Sequence, residues 1–303
     1  MLALQTHFIP QMPNTIHKVK ASFSIVDESF VQDNSKDYSL YLEIGFDVFS
    51  FCILDSVRNK FIVLKMFPIQ KAYNDVVLCE KVHEIFEQNE LLKSSYKNIS
   101  ASFVNNKYTL MPAPLFEKEK AYTYLSFNHT VEESETVSSD YIKNIDTYVV
   151  FSIPKAIADL LNKLFPQVQV HHFVSPLIES VISQYKNQSK RKVFVHVQSS
   201  HFEVIVTEGK KLVFFNTFQH QTSEDFIYYL LFVCEQLHLN PEELELVLIG
   251  EIEKNSALYQ ILFKYIRNIS FGSRNENNEY SYKFDTIPSH FYYSLLSQSL
   301  ANN

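Results

Sequence analysis

The sequence predicts an α/β protein built twice over: two lobes, each a mixed sheet in which three antiparallel strands precede parallel strand–helix units. Three observations predict this. First, "EIGFDVFSFCIL" (Glu43–Leu54) and "HVQSSHFEVIV" (His196–Val206) are similar strand–turn–strand phrases, each followed by another short apolar strand and a helix. Second, sliding the first phrase by 153 residues sets Leu42 on Val195, Ile44 on Val197, Phe49 on Phe202 and Phe51 on Val204. Past a turn two residues shorter, Phe61 meets Leu212 and Phe67 meets Phe218. Third, strand and helix periods alternate from Thr147 to Tyr185 and again from Thr222 to Phe271.

The elements follow in order. Ser39–Phe46, Val48–Asp55 and Phe61–Phe67 are rich in β-branched and aromatic residues and read as strands. Asn74 and Asp75 give a helix-capping signal, after which Leu78, Val82, Ile85 and Leu92 share one face, with Phe86 beside them. "ISASFVNNKYTLMP" reads as two short strands about an Asn105–Asn106 turn, and "PLFEKEKAYTYL" as a helix. The polar, acidic segment Val131–Asn144 is expected to be a surface loop. "TYVVFSIP" is a nearly continuous apolar strand, as for one covered on both faces. "KAIADLLNKLF" carries Ile157, Leu160, Leu161 and Leu164 on one helical stripe; "VQVHHF" is a strand, and "SPLIESVISQY" a helix with Pro176 in its first turn.

After the second strand–turn–strand phrase, Thr222 or Ser223 caps a helix whose first turn holds Glu224 and Asp225, where the helix dipole favours acids. Its buried stripe is Phe226, Leu230, Val233, Cys234 and Leu237. "ELVLIG", "SALYQILFKYI" and "RNISF" continue as strand, helix and strand, and a polar tract precedes an apolar helix at Phe291–Leu300. On this reading residues 1–188 form the first lobe, with an inserted hairpin, helix and acidic loop over 98–145. Residues 189–286 form the second lobe, and 287–303 a C-terminal helix packing back on the first.

Composition narrows the function. A net charge of −7 with no long basic stripe argues against a primary role on nucleic acid, and "KNQSKRK" (Lys186–Lys192) reads as a solvated loop. No stretch has the length and apolarity of a membrane span, and the first residues lack the basic and apolar regions of a signal peptide. Cys52, Cys79 and Cys234 each sit in an apolar pattern without paired spacing, as expected of reduced core residues in a cytoplasmic protein. Only 4 glycines occur in 303 residues, where about twenty are usual, so little is available for phosphate-wrapping loops. The 26 Phe and 18 Tyr exceed what a core needs and leave aromatics for a partner surface.

Three strands, a helix and strand–helix units, stated twice, resemble the duplicated ribonuclease H-like core of the actin, sugar kinase and heat-shock chaperone superfamily. "LEIG" looks like its first phosphate loop, "VVFSIP" resembles a strand ending in Val-Pro before a helix, and "HHFVSPLIESVI" resembles its Glu-Pro helix opening. "LIGE" sits where the superfamily has a Gly-Gly adenosine motif. The stretch Lys210–Phe271, with "YTLMPAPLF" and "YLSFNHTVEE", is similar to an uncharacterised bacterial family of actin-like fold. In layout the nearest understood relatives look like the cytoplasmic actin-like platform proteins of type IV pili and type II secretion.

The resemblance implies a nucleotide cleft and places its loops at Glu43, Gly45, His196, Ser199, Ser200 and Gly250. Glu43 and Gly45 match the acid–x–Gly of the first loop, but Phe46 and Asp47 follow where small or hydroxyl residues are usual. In the second loop His196 and Gln198 replace the acid and the glycine, while Ser199 and Ser200 keep weak anion binding open. Gly250 matches one adenosine-site glycine and Glu251 replaces the other. The expectation is a degenerate cleft with no cofactor, in a non-catalytic scaffold or interaction protein whose partner is another protein; homo-oligomerisation stays open. The competing reading is an active ATPase or small-molecule kinase using ATP and magnesium, with Glu43 organising the metal and both serines reaching phosphate.

No catalytic residue or metal ligand is nominated. "HEIFE" from His83 lacks the second histidine of a zinc-protease helix, and His171 and His172 point to opposite faces of one strand.

Overall fold

The computed structural model describes residues 19–301 apart from 71, 167 and 189. Strand β1 (Phe23–Val26) leads into the three alternating strands, β2 (Tyr38–Gly45), β3 (Val48–Asp55) and β4 (Lys60–Pro68). Asn74 caps helix α1 (Asp75–Gln88) by accepting from Val77 N, and the helix buries Leu78, Val82, Ile85 and Phe86. β5 (Asn98–Val104) comes next, then β6 (Tyr108–Pro112), the short α2 (Ala121–Ser126), β7 (Glu135–Ile142) and β8 (Thr147–Pro154). Helix α3 (Lys155–Leu164), β9 (Gln169–His172) and α4 (Val174–Tyr185) end the first copy of the repeat.

The second copy runs β10 (Arg191–Val197), β11 (His201–Glu208), β12 (Lys211–Gln219), α5 (Ser223–Gln236), β13 (Glu245–Gly250), α6 (Ala257–Tyr265) and β14 (Asn268–Phe271). A capping box between Thr222 and Asp225 opens α5. The two-residue β15 (Glu279–Tyr280) and helix α7 (Tyr293–Ala301) complete the described chain.

The described strands form three sheets. One has the order β1-β4-β3-β2-β5-β9 with β15 also on β4, the second β12-β11-β10-β13-β14, and the third β6-β8-β7. In the first, β5 lies parallel to β2 and β9 parallel to β5; in the second, β13 lies parallel to β10 and β14 parallel to β13. Register ties the two together. Glu43 faces Ser50 and Ile44 faces Phe49, while His196 faces Glu203 and Val197 faces Phe202, each 153 residues on. The pairing of β3 with β4 slips between Ile53 and Leu54, and that of β11 with β12 slips between Val206 and Thr207, the equivalent place. A bulge is a specific local insertion, so sharing it marks the copies as one design used twice.

Apolar side chains explain the layers. Leu42, Ile44, Phe51, Phe103, Ile157 and Leu177 join the first sheet to α1, α3 and α4, whereas Val195, Val204, Phe226 and Leu262 join the second to α5 and α6. The other face of the first sheet is covered by Phe284 and by Leu295 and Leu296 of α7. Helices α4 and α7, which close the two copies, pack on each other. There the buried Tyr293 hydroxyl accepts from Ser180 Oγ at 3.0 Å and donates to Gln184 Oε1 at 2.8 Å.

Four local expectations need correction. The strands around Asn105–Asn106 exist but do not form a hairpin: β5 joins the first sheet and β6 the third. The turn is built on Asn105, whose amide donates to Ser152 O at 2.8 Å while its Oδ1 accepts from Lys107 N at 2.9 Å. The acidic segment expected as a loop is strand β7, because its charges are met by tertiary partners rather than water: Lys107 on Glu135 at 2.8 Å and His171 on Asp140 at 2.9 Å. β8 is the centre of the small antiparallel sheet, not a parallel strand, since a buried apolar run reads alike in either setting. The helix expected over 114–125 contracts to two 3-10 turns and the short α2.

Candidate functional site

The predicted loop residues come together where the ends of β2, β10 and β13 meet. The first loop turns at Phe46 and Asp47, and the second, Gln198–Ser200, closes with Gln198 N donating to His201 O at 2.9 Å. Asp47 reaches across between the copies. Its Oδ2 accepts from Ser199 Oγ at 2.6 Å and, more weakly, from Ser200 Oγ at 3.5 Å. Gly45 serves packing: a Cβ there would stand 3.3 Å from Val104 Cβ on β5.

Glu43 is buried between β3 and β5. Burial raises its carboxyl to about 7; the Ser294 hydroxyl and His196 pull it down, and Glu251 and Glu203 push it further up. Its Oε2 has no hydrogen-bond partner. His196, at the equivalent place, is held by its cross-strand neighbour, Nδ1 lying 2.7 Å from Glu203 Oε2 with both side chains buried. Glu203 Oε1 accepts from Thr217 Oγ1 at 3.2 Å, and Thr217 bonds the Tyr108 hydroxyl at 2.9 Å, tying the second sheet to the small one.

Gly250 is required by its backbone. Its φ is +84°, and a Cβ would stand 2.3 Å from Val197 O. Its N–H donates to His290 O at 2.8 Å, and Glu251 N donates to Val197 O at 2.7 Å. Crowding by protein atoms raises the Glu251 carboxyl above its ordinary range although the residue keeps solvent exposure, with His196 opposing and Asp47 adding to the shift.

A cavity of about 460 Å³ opens beside the two loops. Four carboxylates line it, Asp47, Asp75, Glu132 and Glu135, against one cation, Lys107, which already holds both oxygens of Glu135 at 2.8 and 2.9 Å. Of the six predicted loop residues only Ser200 reaches its wall; Glu43, His196 and Gly250 lie buried behind it. A larger groove of about 1070 Å³ lies elsewhere, between the end of α1 and the start of β9, and holds none of the six. Among the described residues no cluster of three His, Cys, Asp or Glu side chains could hold a metal ion. His172 is fully buried on Asn105, and burial lowers its imidazole to about 3. Glu203 and the bridging role of Asp47 escaped the sequence reading. The one signal for Glu203 is its place in the strand pair, two residues after His201 and directly across from His196.

The duplicated, bulge-matched sheets define a protein of the actin-like ATPase fold. A solved protein from Bacteroides thetaiotaomicron, described as having that fold and unknown function, superposes with a TM-score of 0.73 at 26% identity, covering 80% of this chain and 93% of that one. The family model described as "Protein of unknown function (DUF3822)" matches residues 27–269, and the chain belongs to that family. The PilM–PilN type IV pilus biogenesis complex shares the fold at a TM-score of 0.55 and 12% identity, over 87% of this chain and 97% of that one. No curated protein matches the sequence.

Proposed function

We propose that the protein is a non-catalytic actin-like scaffold, working in the cytoplasm, whose nucleotide cleft is filled by its own side chains and whose partner is another protein. The observation that carries this is the bond from Ser199 to Asp47 at 2.6 Å. It engages the hydroxyl left to meet a phosphate, and it sets a carboxylate where a phosphate would need donors. The rest of the cleft supports the same reading. Glu43 is buried behind the cavity wall, so its carboxyl presents no open oxygen to hydrated magnesium. His196 is engaged by Glu203, Glu251 brings a side chain to the adenosine position, and the Gly250 N–H is already donated. These residues do not fit a magnesium–triphosphate pair.

A protein partner is supported by the pilus neighbour, itself solved as a complex of two proteins, and by exposed aromatics such as Phe127, Tyr122 and Phe263. No described helix is long and apolar enough to cross a membrane. The test is thermal unfolding with and without millimolar ATP and magnesium, beside a turnover assay. The expected result is no magnesium-dependent rise in Tm and no hydrolysis. A rise abolished by Ser199→Ala would establish a working nucleotide site instead.

A further inference from the structure

The basic run Lys186–Lys192, a solvated loop in the sequence, acquires further basic neighbours in the fold. It joins α4 to β10, and the turn between β11 and β12 lies against it: a Cβ on Gly209 would stand 3.8 Å from Gln188 O. That turn carries Lys210 and Lys211, both exposed. Arg191 opens β10 opposite Glu208, its Nε 3.1 Å from the Glu208 Oε2. Lys192 Nζ lies 2.9 Å from Glu245 Oε2 and 5.5 Å from the centre of the Tyr185 ring. Lys192 foremost, and Lys190 with it, hold the Glu245 carboxyl below its ordinary range. The cations Lys186, Lys190, Arg191, Lys192, Lys210 and Lys211 thus gather against Glu208, Glu245 and Glu276, the last lying by Tyr185. Lys186, Lys190, Lys210 and Lys211 form no salt bridge among the described residues. The chain as a whole has a net charge of −7, so this excess is local.

The chemistry of the patch selects its partner. None of its residues lines either cavity described above, so it offers no seat for a single small anion. All but Arg191 are lysines, hydrated point charges on flexible stems that lack the planar fork by which arginine grips one phosphate or carboxylate. A fluid layer of anionic headgroups meets such charges wherever they fall. An acidic peptide would have to be ordered to do the same, at a cost in entropy. A nucleic-acid duplex rewards a longer basic track than one loop and one turn supply. Acids elsewhere on the chain do not cancel the attraction, since at physiological salt charges more than about 8 Å apart are largely screened. β10 starts in the patch at Arg191 and ends at Val197 beside the inter-copy loop, which sets patch and cleft at opposite ends of the second sheet.

We propose that the surface formed by the α4–β10 loop and the β11–β12 turn docks reversibly on a membrane rich in anionic lipid, with the inter-copy cleft turned away from the bilayer. The proposal does not depend on the scaffold reading. It is tested by co-sedimentation of the full chain with phosphatidylcholine vesicles, with and without phosphatidylglycerol, beside titrations with a DNA duplex and a polyglutamate peptide at equal anionic charge. The chain binds the anionic vesicles alone, and binding weakens as salt rises. Each cation removed weakens it about fivefold, so Lys210→Gln with Lys211→Gln costs about twentyfold. Lys118→Gln with Lys120→Gln removes the same charge outside the patch and leaves binding unchanged. All four lysines are exposed, so both variants fold, and an unchanged Tm checks this. Equal binding to neutral vesicles, no binding to anionic ones, the same loss in both variants, or tighter binding of the duplex or the peptide than of the vesicles overturns it.

Discussion

Position for position, the first copy sets Glu43 across from Ser50, and the second sets His196 across from Glu203. The backbone matches down to the bulge, yet the polar contents differ. In the second copy the histidine and glutamate satisfy each other at 2.7 Å, and Thr217 takes the remaining carboxylate oxygen. In the first copy Glu43 has no such neighbour, one of its oxygens is bare, and burial lifts its carboxyl to about 7. A sheet can therefore exchange its buried polar groups between copies, holding one by a partner and shifting the other towards its protonated form.

The sharpest way to break the comparison is Glu203→Ala. It strands His196 Nδ1 in a buried site and leaves Thr217 Oγ1 with only the Tyr108 hydroxyl, and it lowers stability by about 3–5 kcal/mol in urea titrations. Ser50→Ala, at the matching place, costs about 1 kcal/mol or less. Equal losses would mean that the two fillings are energetically alike. Next comes Gly250→Ala, which combines a positive φ with a clash on Val197 O and costs about 3 kcal/mol. Gly45→Ala has only the milder contact with Val104 and costs about 1 kcal/mol.

Glu43→Gln probes protonation. A carboxyl raised from 4.5 to about 7 on folding keeps its proton in the folded state while the unfolded chain loses it. Stability then falls as pH rises from 4.5 to 7, by about 3 kcal/mol in total. The glutamine variant should melt higher than the parent at pH 8 and alike at pH 4.5; a lower Tm at both would refute neutralisation by protonation. His172, lowered from 6.5 to about 3, gives the opposite slope: the unfolded chain binds the extra proton, so stability rises from pH 3 towards 6.5. Below pH 4.5 only this slope remains of the two, and His172→Gln should flatten it. The smallest effect belongs to Ser199→Ala, about 0.5–1 kcal/mol because the site is exposed.

The repeat was legible because alternating strands write their period into the chain: Leu42, Ile44, Phe49 and Phe51 face one core, and Val195, Val197, Phe202 and Val204 another. The small sheet was not, since β7 carries acids whose partners, Lys107 and His171, come from distant segments. Its central strand, β8, is as apolar as any strand of a parallel sheet, so periodicity could not assign it. Glu43, His196 and Gly250 were found by their places in the repeat. What surrounds them was hidden: the Asp47–Ser199 bond joins residues 152 apart, and the Gly250–His290 bond comes from a segment with no counterpart in the pattern.

Tyr293 acts as a rivet. Although α7 ends the second copy, it lies against the first sheet, and Ser180 and Gln184 of α4 hold it there through the Tyr293 hydroxyl. The segment between β14 on the second sheet and α7 on the first is therefore a strap laid across both copies, with the Gly250–His290 hydrogen bond near its end.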